Sequence, residues 1–370
     1  MKTFFNLMQE VQKVGKCHHC GACVAFCDAL NYGALEIGED GIPRYKDIEK
    51  CIECGLCYTI CPEIHELDEE LKRKLRWSEP IGRVISSRSV RAIDENIRNN
   101  ATDGGAVTGL LLYLFDTGQI NGAIVTKKVG KFERVPHLAT TREEIINSAG
   151  FFFETSHGIH NFSKRYSEVA TVEAFHTLRK KGLSRVALVA SPCQILAFRK
   201  MELLGITPSE SIRFCLGLFC SGNFEFNEQN RKILAEKFNF SWDDVEKINI
   251  KEELYVTLKS GEKLTIPLSE LDFMKKYACK LCLDYTAQYS DLSFGGLGSE
   301  DGWTTVLART PKGRAALESA IGATLEEIKY SDRPLYITDM LYKIHTQAAK
   351  KKKSSRERLR NLGKSIKVRM

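Results

Sequence analysis

The sequence lacks the features that define several common protein classes. No stretch approaches the roughly 20 consecutive apolar residues that a membrane-spanning helix needs, and the N-terminal segment has no apolar core followed by a small-residue cleavage site. Neither a GxGxxG turn between strand and helix nor a GxxxxGK[ST] loop occurs. We therefore expect a cytoplasmic protein with no transmembrane segment, no Rossmann-type nicotinamide site and no phosphate-binding P-loop.

Excess positive charge is scarce outside the C-terminal end. The formal net charge is +7, but residues 348–370 contain ten Lys or Arg and a single Glu, so the rest of the chain is slightly acidic. No base-stacking aromatic side chains are interleaved with the basic run, and no nucleic-acid module precedes it. We therefore predict no nucleic-acid partner and interpret the run as a solvated terminal helix that docks on a partner subunit.

Cysteine is abundant and clustered. Eight of the 13 cysteines lie within residues 17–61, and in a reducing compartment such clustering favours metal ligation over disulfides. The segments CHHCGACVAFC (17–27) and CIECGLCYTIC (51–61) share the pattern CxxCxxCxxxC. This repeat predicts a pseudo-symmetric module that binds two 4Fe-4S clusters.

In two-cluster ferredoxins, the fourth cysteine of each run binds the cluster of the other run. Applied here, this rule gives two ligand sets. The predicted ligands of the first cluster are Cys17, Cys20, Cys23 and Cys61, and those of the second are Cys51, Cys54, Cys57 and Cys27.

Zinc is the alternative occupant, but tetrahedral coordination needs only two CxxC pairs per metal and not a tripled CxxCxxC. We do not expect His18 and His19 to be ligands, because four cysteines per cluster are already available. Asp28 follows the first run where Pro62 follows the second. Since that proline shapes the loop without binding iron, the replacement leaves the ligand sets intact.

The rest of the chain predicts an α/β (α+β overall) fold, with a small ferredoxin-like domain followed by a larger mixed α/β domain. Apolar runs alternate with helical patterns from about residue 83 onward. We expect a hairpin between the two cysteine runs, a charged helix before Pro80, a helix ending at Gly118 and a hairpin at Ser260-Gly261. Strands are expected at GAIVT, SRVALVA, SDLSF and WTTVLA, and a long basic helix from about 336 to 361.

Five cysteines lie in the larger domain. They are Cys193, Cys215, Cys220, Cys279 and Cys282. The CxxC of residues 279–282 alone is compatible with a redox dithiol, a zinc half-site or a third cluster.

Residues 86–309 contain five motifs in order: TDGGAVTGLL, SPCQ, GLFCSGNF, CKLCLDY and GSEDGWTTV. In these motifs the chain resembles the beta subunit of coenzyme F420-reducing hydrogenase and the electron-input subunits of F420H2 dehydrogenases. The resemblance implies that the larger domain binds FAD and a third 4Fe-4S cluster. It assigns the ligands of that cluster to Cys193, Cys220, Cys279 and Cys282, which leaves Cys215 as a buried free cysteine.

The same resemblance implies the flavin-binding residues, and the pattern along the chain predicts the domain limits. The implied flavin-site residues are Asp103, Gly104, Gly105, Thr108, Gly298, Asp301, Gly302 and Trp303. The expected divisions are the ferredoxin-like domain at 1–66, a helical linker at 67–82, the FAD and 4Fe-4S domain at 83–345, and a basic helix or tail at 346–370. Without the resemblance, DGG before a helix is an ordinary N-cap and 298–303 an ordinary glycine-rich turn.

One segment departs from the family pattern. After Ala149-Gly150 the relatives continue with a small hydroxyl residue, lysine and tyrosine, whereas this chain reads Phe151 to Thr155 as FFFET. The departure puts the identity of the substrate in question. We expect Lys127 and Lys128 to be solvated loop residues and neither His157 nor His160 to be catalytic.

The resemblance implies an oxidoreductase subunit that moves electrons between reduced coenzyme F420, FAD and the three clusters. Two alternatives stay open: a ferredoxin-dependent flavin reductase acting on another organic substrate, and an electron-transfer adaptor without flavin. The implied partners are other subunits of a hydrogenase, dehydrogenase or heterodisulfide-reductase type complex, or ferredoxin. A place at the periphery of a membrane complex is compatible with the sequence.

Overall fold

The computed structural model describes residues 1–128, 134–150, 181–225 and 227–368. In these ranges, the chain forms a small N-terminal module and a larger sheet-containing domain, as the fold-class prediction expected. None of the described helices is long and apolar enough to cross a membrane.

The N-terminal module contains three short helices and one hairpin. They are α1 (Phe4–Leu7), α2 (Ala22–Ala29), α3 (Leu56–Thr59), β1 (Leu35–Ile37) and β2 (Pro43–Tyr45). The strands pair antiparallel, and the Asp40 carboxylate accepts a hydrogen bond from the Ile42 amide in the turn. The expected hairpin between the cysteine runs is confirmed.

The two cysteine runs fold in the same way. Gly21 precedes α2 with φ +75° and Gly55 precedes α3 with φ +72°. Glycine adopts this left-handed conformation without the strain that a Cβ introduces. At Gly55 a Cβ would also lie 2.6 Å from the main-chain oxygen of Lys2. The glycine after the second cysteine of each run therefore serves a tight turn into a helix.

A charged helix, α4 (Asp68–Lys74), connects the two parts. Its first turn is acidic and its last turn basic, which complements the helix dipole. Leu71 is buried, and the indole of Trp77 donates to the side-chain oxygen of Gln288 over 2.8 Å. The predicted charged helix before Pro80 is confirmed, and it packs against the larger domain.

The larger domain is built on an eight-stranded mixed sheet among the described residues. Its strands are β3 (Ser86–Ala92), β4 (Gly122–Lys128), β5 (Arg134–Ala139), β6 (Val186–Ala190), β7 (Ile212–Leu218), β11 (Leu292–Gly295), β12 (Thr304–Ala308) and β13 (Leu325–Glu327). The strand order is β13-β3-β12-β11-β7-β6-β4-β5. The four central strands, β11, β7, β6 and β4, are parallel, and antiparallel strands flank them.

Helices cover both faces of this sheet. They are α5 (Glu95–Asn100), α6 (Ala106–Asp116), α7 (Arg142–Asn147), α8 (Pro192–Leu203) and α11 (Pro311–Ala320). Successive residues of β6 face opposite cores, as the pleat requires. Ala187 packs with α6, α7 and α11, whereas Leu188 packs with α8.

The core around α8 also contains residues of the N-terminal module. Phe26 of α2 and Phe198 of α8 are fully buried in it. The ammonium of Lys200, which has no exposed surface, donates to the main-chain oxygen of Cys61 over 2.9 Å and lies 3.2 Å from the Asp68 carboxylate. The first cysteine module is therefore fixed to the larger domain by a shared apolar core and a buried cation.

A smaller layer lies beside the main sheet. It comprises α9 (Glu228–Phe238), β8 (Val245–Ile250), β9 (Leu254–Leu258) and β10 (Lys263–Ile266). A short helix, α10 (Tyr277–Leu281), follows it in the chain and packs against the C-terminal helix. The strands form an antiparallel sheet in the order β10-β9-β8, and the predicted hairpin at Ser260-Gly261 joins β9 and β10.

The long C-terminal helix is α12 (Tyr336–Val368). Met340, Ile344 and Ala348 are buried against the larger domain at helical spacing, and Lys352 and Ser355 continue the same buried face. The predicted helix is confirmed and extends seven residues beyond its expected end. The expectation that the basic run is solvated is wrong for this face, because the apolar residues at every fourth position dock it on its own domain.

Candidate cluster and cofactor sites

The eight N-terminal cysteines line two separate cavities. One is lined by Cys17, Cys20, Cys23 and Cys61, and the other by Cys51, Cys54, Cys57 and Cys27. Because α2 and α3 pack against each other, the last cysteine of each run lies beside the first three of the other. Asp28 is exposed and lines neither cavity.

Burial keeps the thiols of these cavities protonated unless a bound cation compensates their charge. Burial, followed by the neighbouring cysteines, raises the pKa of Cys23 and Cys61 well above the ordinary value. At Cys57 the same causes raise the pKa to about 12. Four adjacent buried thiols do not ionise together at neutral pH unless a cation compensates them, and bound metal deprotonates its cysteine ligands. The donor sets therefore fit 4Fe-4S clusters.

A buried histidine lies between the first of these cavities and the larger domain. His18 lines the cavity of Cys17, its Nε2 lies 2.7 Å from the Glu63 carboxylate, and its side chain also hydrogen-bonds Cys279. Burial lowers the pKa of His18, but the hydrogen bonds to Cys279 and Glu63 outweigh it and raise the pKa well above the ordinary value. No sequence pattern signals this contact, because His18 and Cys279 are more than 250 residues apart.

Three of the four cysteines assigned to the third cluster surround one lysine. Cys220 follows β7, Cys279 lies in α10 and Cys282 follows it. The Lys351 ammonium donates to the main-chain oxygens of Cys220 over 2.8 Å and Asp284 over 2.7 Å. Burial lowers the pKa of Lys351, but the interactions with Cys282, Cys220, Cys279 and Asp284 outweigh burial and hold that pKa above the ordinary value.

The remaining two cysteines occupy different surroundings. Cys193 is the second residue of α8, and its Sγ lies 3.3 Å from the hydroxyl of Ser191. Cys215 is 1% exposed within β7, and its amide donates to the Asp291 carboxylate over 2.8 Å. Burial raises the pKa of Cys215 to about 12. The predicted burial of Cys215 is confirmed.

A cavity of about 290 Å³ opens at the carboxyl ends of the parallel strands. Ala190, Leu218 and Gly295, the last residues of β6, β7 and β11, line it. In open α/β sheets this edge is where ligands bind. Cys220 and Ser191 also line the cavity, so it adjoins the region of the third cysteine set.

The segment before α6 forms another wall of this cavity. Asp103, Gly105 and Thr108 line it. Gly105 is the N-cap of α6 and has φ +71°. The main-chain N–H groups of the first turn, which have no partner within the helix, therefore lie at the end of α6 that borders the cavity. Gly104 does not line the cavity. Its amide donates to the Thr304 hydroxyl over 3.1 Å, and a Cβ there would lie 2.7 Å from that of Arg91.

The Asp103 carboxylate is held by a strand of the smaller layer. Asn249 donates to it over 2.7 Å, and the Lys251 ammonium lies 3.6 Å away. Burial raises the pKa of Asp103, and Lys251 and Asn249 oppose that rise. Lys251 also contacts Asp301 at 2.8 Å. Asn249 lines the cavity and was missed by sequence reasoning, because no motif marks β8.

The loop 298–303 lies outside the cavity lining. A Cβ at Gly298 would lie 2.7 Å from the Met340 side chain of α12, and the Arg91 guanidinium lies 4.4 Å from the centre of the Trp303 ring. Gly302 has φ +79°, as a tight turn requires. A flavin contact for Gly298, Asp301, Gly302 and Trp303 stays a prediction.

The segment that departs from the family pattern follows Gly150 in the sequence. Ser148, Ala149 and Gly150 line the cavity. Lys127 is exposed, but the expectation that Lys127 and Lys128 lie in a loop is wrong, because both belong to β4. The predictions for residues 151–155, His157 and His160 lie outside the described residues.

Comparison with known proteins identifies the two parts. The family described as "4Fe-4S dicluster domain" matches residues 9–62. "Coenzyme F420 hydrogenase/dehydrogenase, beta subunit N-term" matches 88–160, and the C-terminal counterpart of that description matches 183–333. The fold and the paired cysteine runs define an iron-sulfur oxidoreductase. Within that class, the chain belongs to the coenzyme F420 hydrogenase/dehydrogenase beta subunit family.

Individual relatives cover different shares of the chain. The coenzyme F420 hydrogenase subunit beta of Methanococcus voltae is 31% identical over 288 residues, which are 77% of this chain and 98% of the relative. The coenzyme F420-dependent sulfite reductase of Methanocaldococcus jannaschii is 28% identical over 341 residues, which are 87% of this chain and 49% of the relative. A chain of the F420-reducing [NiFe] hydrogenase complex from Methanosarcina barkeri matches with a TM-score of 0.64 and 27% identity, covering 77% of this chain and 94% of that one.

Proposed function

We propose that this protein moves electrons between reduced coenzyme F420 and a partner redox protein, using FAD and three 4Fe-4S clusters. One observation carries the proposal: the cavity at the carboxyl ends of the parallel strands is lined both by the N-terminus of α6 and by Cys220. A single cavity thus joins the wall assigned to flavin with a cysteine assigned to the third cluster.

The residues around the cavity fit a flavin. Gly295 and Gly296 line the cavity, and a Cβ would clash with Phe219 at the first and with the Asp103 carboxylate at the second, so this wall of the cavity is closely packed main chain. The start of α6 presents main-chain donors suited to an anionic group. A bound flavin would accept a hydride and release electrons singly. The chain's own task is to hold the reactants together and exclude water.

The contacts between sites support an order for the clusters. Cys220 lines the flavin cavity, Cys279 contacts His18, and His18 lines the cavity of Cys17. We infer that the third cluster exchanges electrons with the cluster of Cys17 first. The second ferredoxin cavity is bordered by Ile52, which is 61% exposed, so it is the one open to a partner.

A partner is expected because the Methanococcus relative is named as a subunit. We propose another subunit of a redox complex, of hydrogenase, dehydrogenase or heterodisulfide-reductase type, or ferredoxin itself. The ferredoxin-dependent flavin reductase remains the second candidate, because the FFFET sequence that departs from the family pattern follows directly on the cavity residue Gly150.

The test is anaerobic purification followed by iron and flavin assays. We expect about twelve iron atoms per chain, four for each 4Fe-4S cluster, together with a single FAD. The protein is then mixed with reduced F420, NADH or reduced ferredoxin while flavin absorbance is followed. Bleaching by reduced F420 is expected. Bleaching by ferredoxin alone would establish the reductase alternative, and the absence of flavin would leave the adaptor.

A matched pair of variants tests the cavity assignment. Gly105→Ala and Gly118→Ala both place alanine at positive φ, +71° and +67°, at opposite ends of α6. At Gly105 the Cβ would lie 2.9 Å from Ile97, whereas at Gly118 it meets nothing within 4 Å. Each change costs about 1–2 kcal/mol of backbone strain, but only Gly105→Ala should lower the FAD content. Equal flavin retention in both variants would contradict the assignment.

A further inference from the structure

The basic helix α12 binds the main chain of two cysteines assigned to the third cluster. The Lys351 ammonium donates to the oxygen of Cys220 over 2.8 Å, and the Ser355 hydroxyl donates to the oxygen of Cys282 over 2.9 Å. These two residues are four apart, so they lie one turn from each other on the same face of the helix. Lys351 also donates to Asp284 over 2.7 Å, which closes the loop after Cys282.

The helix is held in this register by contacts on either side. Met340, Ile344 and Ala348 are buried before Lys351. After it, the Lys352 ammonium lies 2.8 Å from the Glu79 carboxylate and also donates to the main-chain oxygen of Pro80. Lys351 is therefore held in place by the docked helix, unlike a flexible lysine on a protein surface.

Several charged or titratable groups face the cysteines assigned to the third cluster, and they make different contacts. Lys351 and Lys275 are lysines that interact electrostatically with both Cys220 and Cys279. The Asp284 carboxylate is engaged by the amides of Thr286 and Gln288. His18 approaches Cys279 from the N-terminal module. Of these groups, Lys351 is the one that bonds to the segments of both Cys220 and Cys282, since Asp284 follows Cys282 by two residues.

We propose that α12 is a positioning element for the third cluster, in which Lys351 supplies a fixed positive charge that favours the reduced cluster and Ser355 fixes the Cys282 segment. This inference rests on the proposed function, in which the cysteines bind that cluster. Reduction adds one electron to the cluster and moves no proton to or from Lys351. The neighbouring positive charge stabilises the added negative charge and so raises the reduction potential.

The test uses the holoprotein and compares Lys351→Met, Lys351→Arg and Lys353→Met by iron content and by EPR-monitored redox titration. Lys353 is exposed on the same helix and is the control for remote charge. Lys351→Met should make reduction of one cluster about tenfold less favourable, roughly 59 mV for a one-electron couple. Lys351→Arg and Lys353→Met should leave that potential near the wild-type value.

If Lys351→Met loses the cluster, Lys351→Gln is measured as well, because glutamine keeps a hydrogen-bond donor but carries no charge. A shifted potential in Lys351→Gln, or loss of four iron atoms in both neutral variants but not in Lys351→Arg, supports the proposal. An unshifted potential in a neutral variant, or equal loss in all three, overturns it. Ser355→Ala should broaden the EPR signal of the same cluster, and an unchanged signal would remove Ser355 from the proposal.

The failure of this inference is distinguishable from failure of the proposed function. Wild-type protein with only about eight iron atoms, two clusters of four, would remove the third cluster and with it the assigned ligands. Wild-type protein with about twelve iron atoms, and neutral variants of Lys351 with unchanged potentials, would contradict the role of Lys351 alone.

Discussion

The last cysteine of each run is predicted to bind the cluster of the other run, and two double variants test this prediction. Cys17 lines the same cavity as Cys61, whereas Cys27 lines the cavity of the second run. We compare Cys17→Ala/Cys61→Ala with Cys17→Ala/Cys27→Ala. Both remove two cysteines, but the first pair comes from one cavity and the second pair from two.

The expected magnitudes follow from which cavity loses a ligand. With three clusters, the wild-type chain binds about twelve iron atoms. Cys17→Ala/Cys61→Ala damages a single cluster and should retain about eight iron atoms, while Cys17→Ala/Cys27→Ala damages both ferredoxin clusters and should retain about four. If each run instead held its own cluster, these two values would be exchanged.

The assay is iron determination on anaerobically purified protein, with EPR of the reduced state to count the remaining clusters. The single variant Cys215→Ala is the control, because Cys215 is buried in β7 away from both ferredoxin cavities and should retain the full iron content. Equal iron in the two double variants, or the exchanged values, would refute the reasoning from cavity lining.

Two further predictions concern buried polar groups in the larger domain. Thr304→Val removes the acceptor of the Gly104 amide and should lower the free energy of unfolding by about 1–3 kcal/mol, as measured by chemical denaturation. Asp291→Asn should cost about 3 kcal/mol, the low end for a broken buried ion pair, because Arg199 loses the carboxylate at 3.2 Å but keeps that of Glu202 at 2.8 Å. Burial would raise the pKa of Asp291, but Arg199 and Lys312, together with the hydrogen bonds from the Cys215 amide and the Thr310 hydroxyl, outweigh burial and hold the pKa below the ordinary 3.8. The stability that Asp291 contributes is therefore fully present above pH 3.8 and is lost as the pH falls through the lower pKa of the folded state. When chemical denaturation is repeated from pH 7 downward, the difference in unfolding free energy between wild type and Asp291→Asn should shrink only below pH 3.8. A deficit that is constant across that range would contradict the ion-pair explanation.

Local sequence patterns were sufficient for elements whose cause is local. The repeat of CxxCxxC with a following glycine predicts two equivalent turns into helices, because the left-handed residue and the cysteine spacing lie within one segment. The helix ending at Gly118 and the hairpin at Ser260-Gly261 are likewise determined by residues next to each other. The same holds for the charged helix, whose acidic and basic ends are visible in the sequence.

The basic C-terminal run shows where composition misleads. Ten basic residues suggested a solvated helix, yet Lys352 is 7% exposed and Lys351 bonds to main-chain oxygens. The apolar positions Met340, Ile344 and Ala348 lie upstream of the basic residues, so the docked face is visible only when the helix is taken as one element. The surface that receives it, around Tyr285 and Leu297, comes from distant parts of the chain.

The sequence by itself determined the iron-binding repeat, the α/β class and the family to which the chain belongs, because each depends on short motifs or periodic patterns that do not require knowing how distant segments pack. Only the tertiary structure decided which sites adjoin. It brought His18 against Cys279, Asn249 against Asp103 and Lys351 against the loops of Cys220 and Cys282. The physical reason is that each of these contacts joins segments more than 65 residues apart, whose meeting depends on how the helices and strands pack.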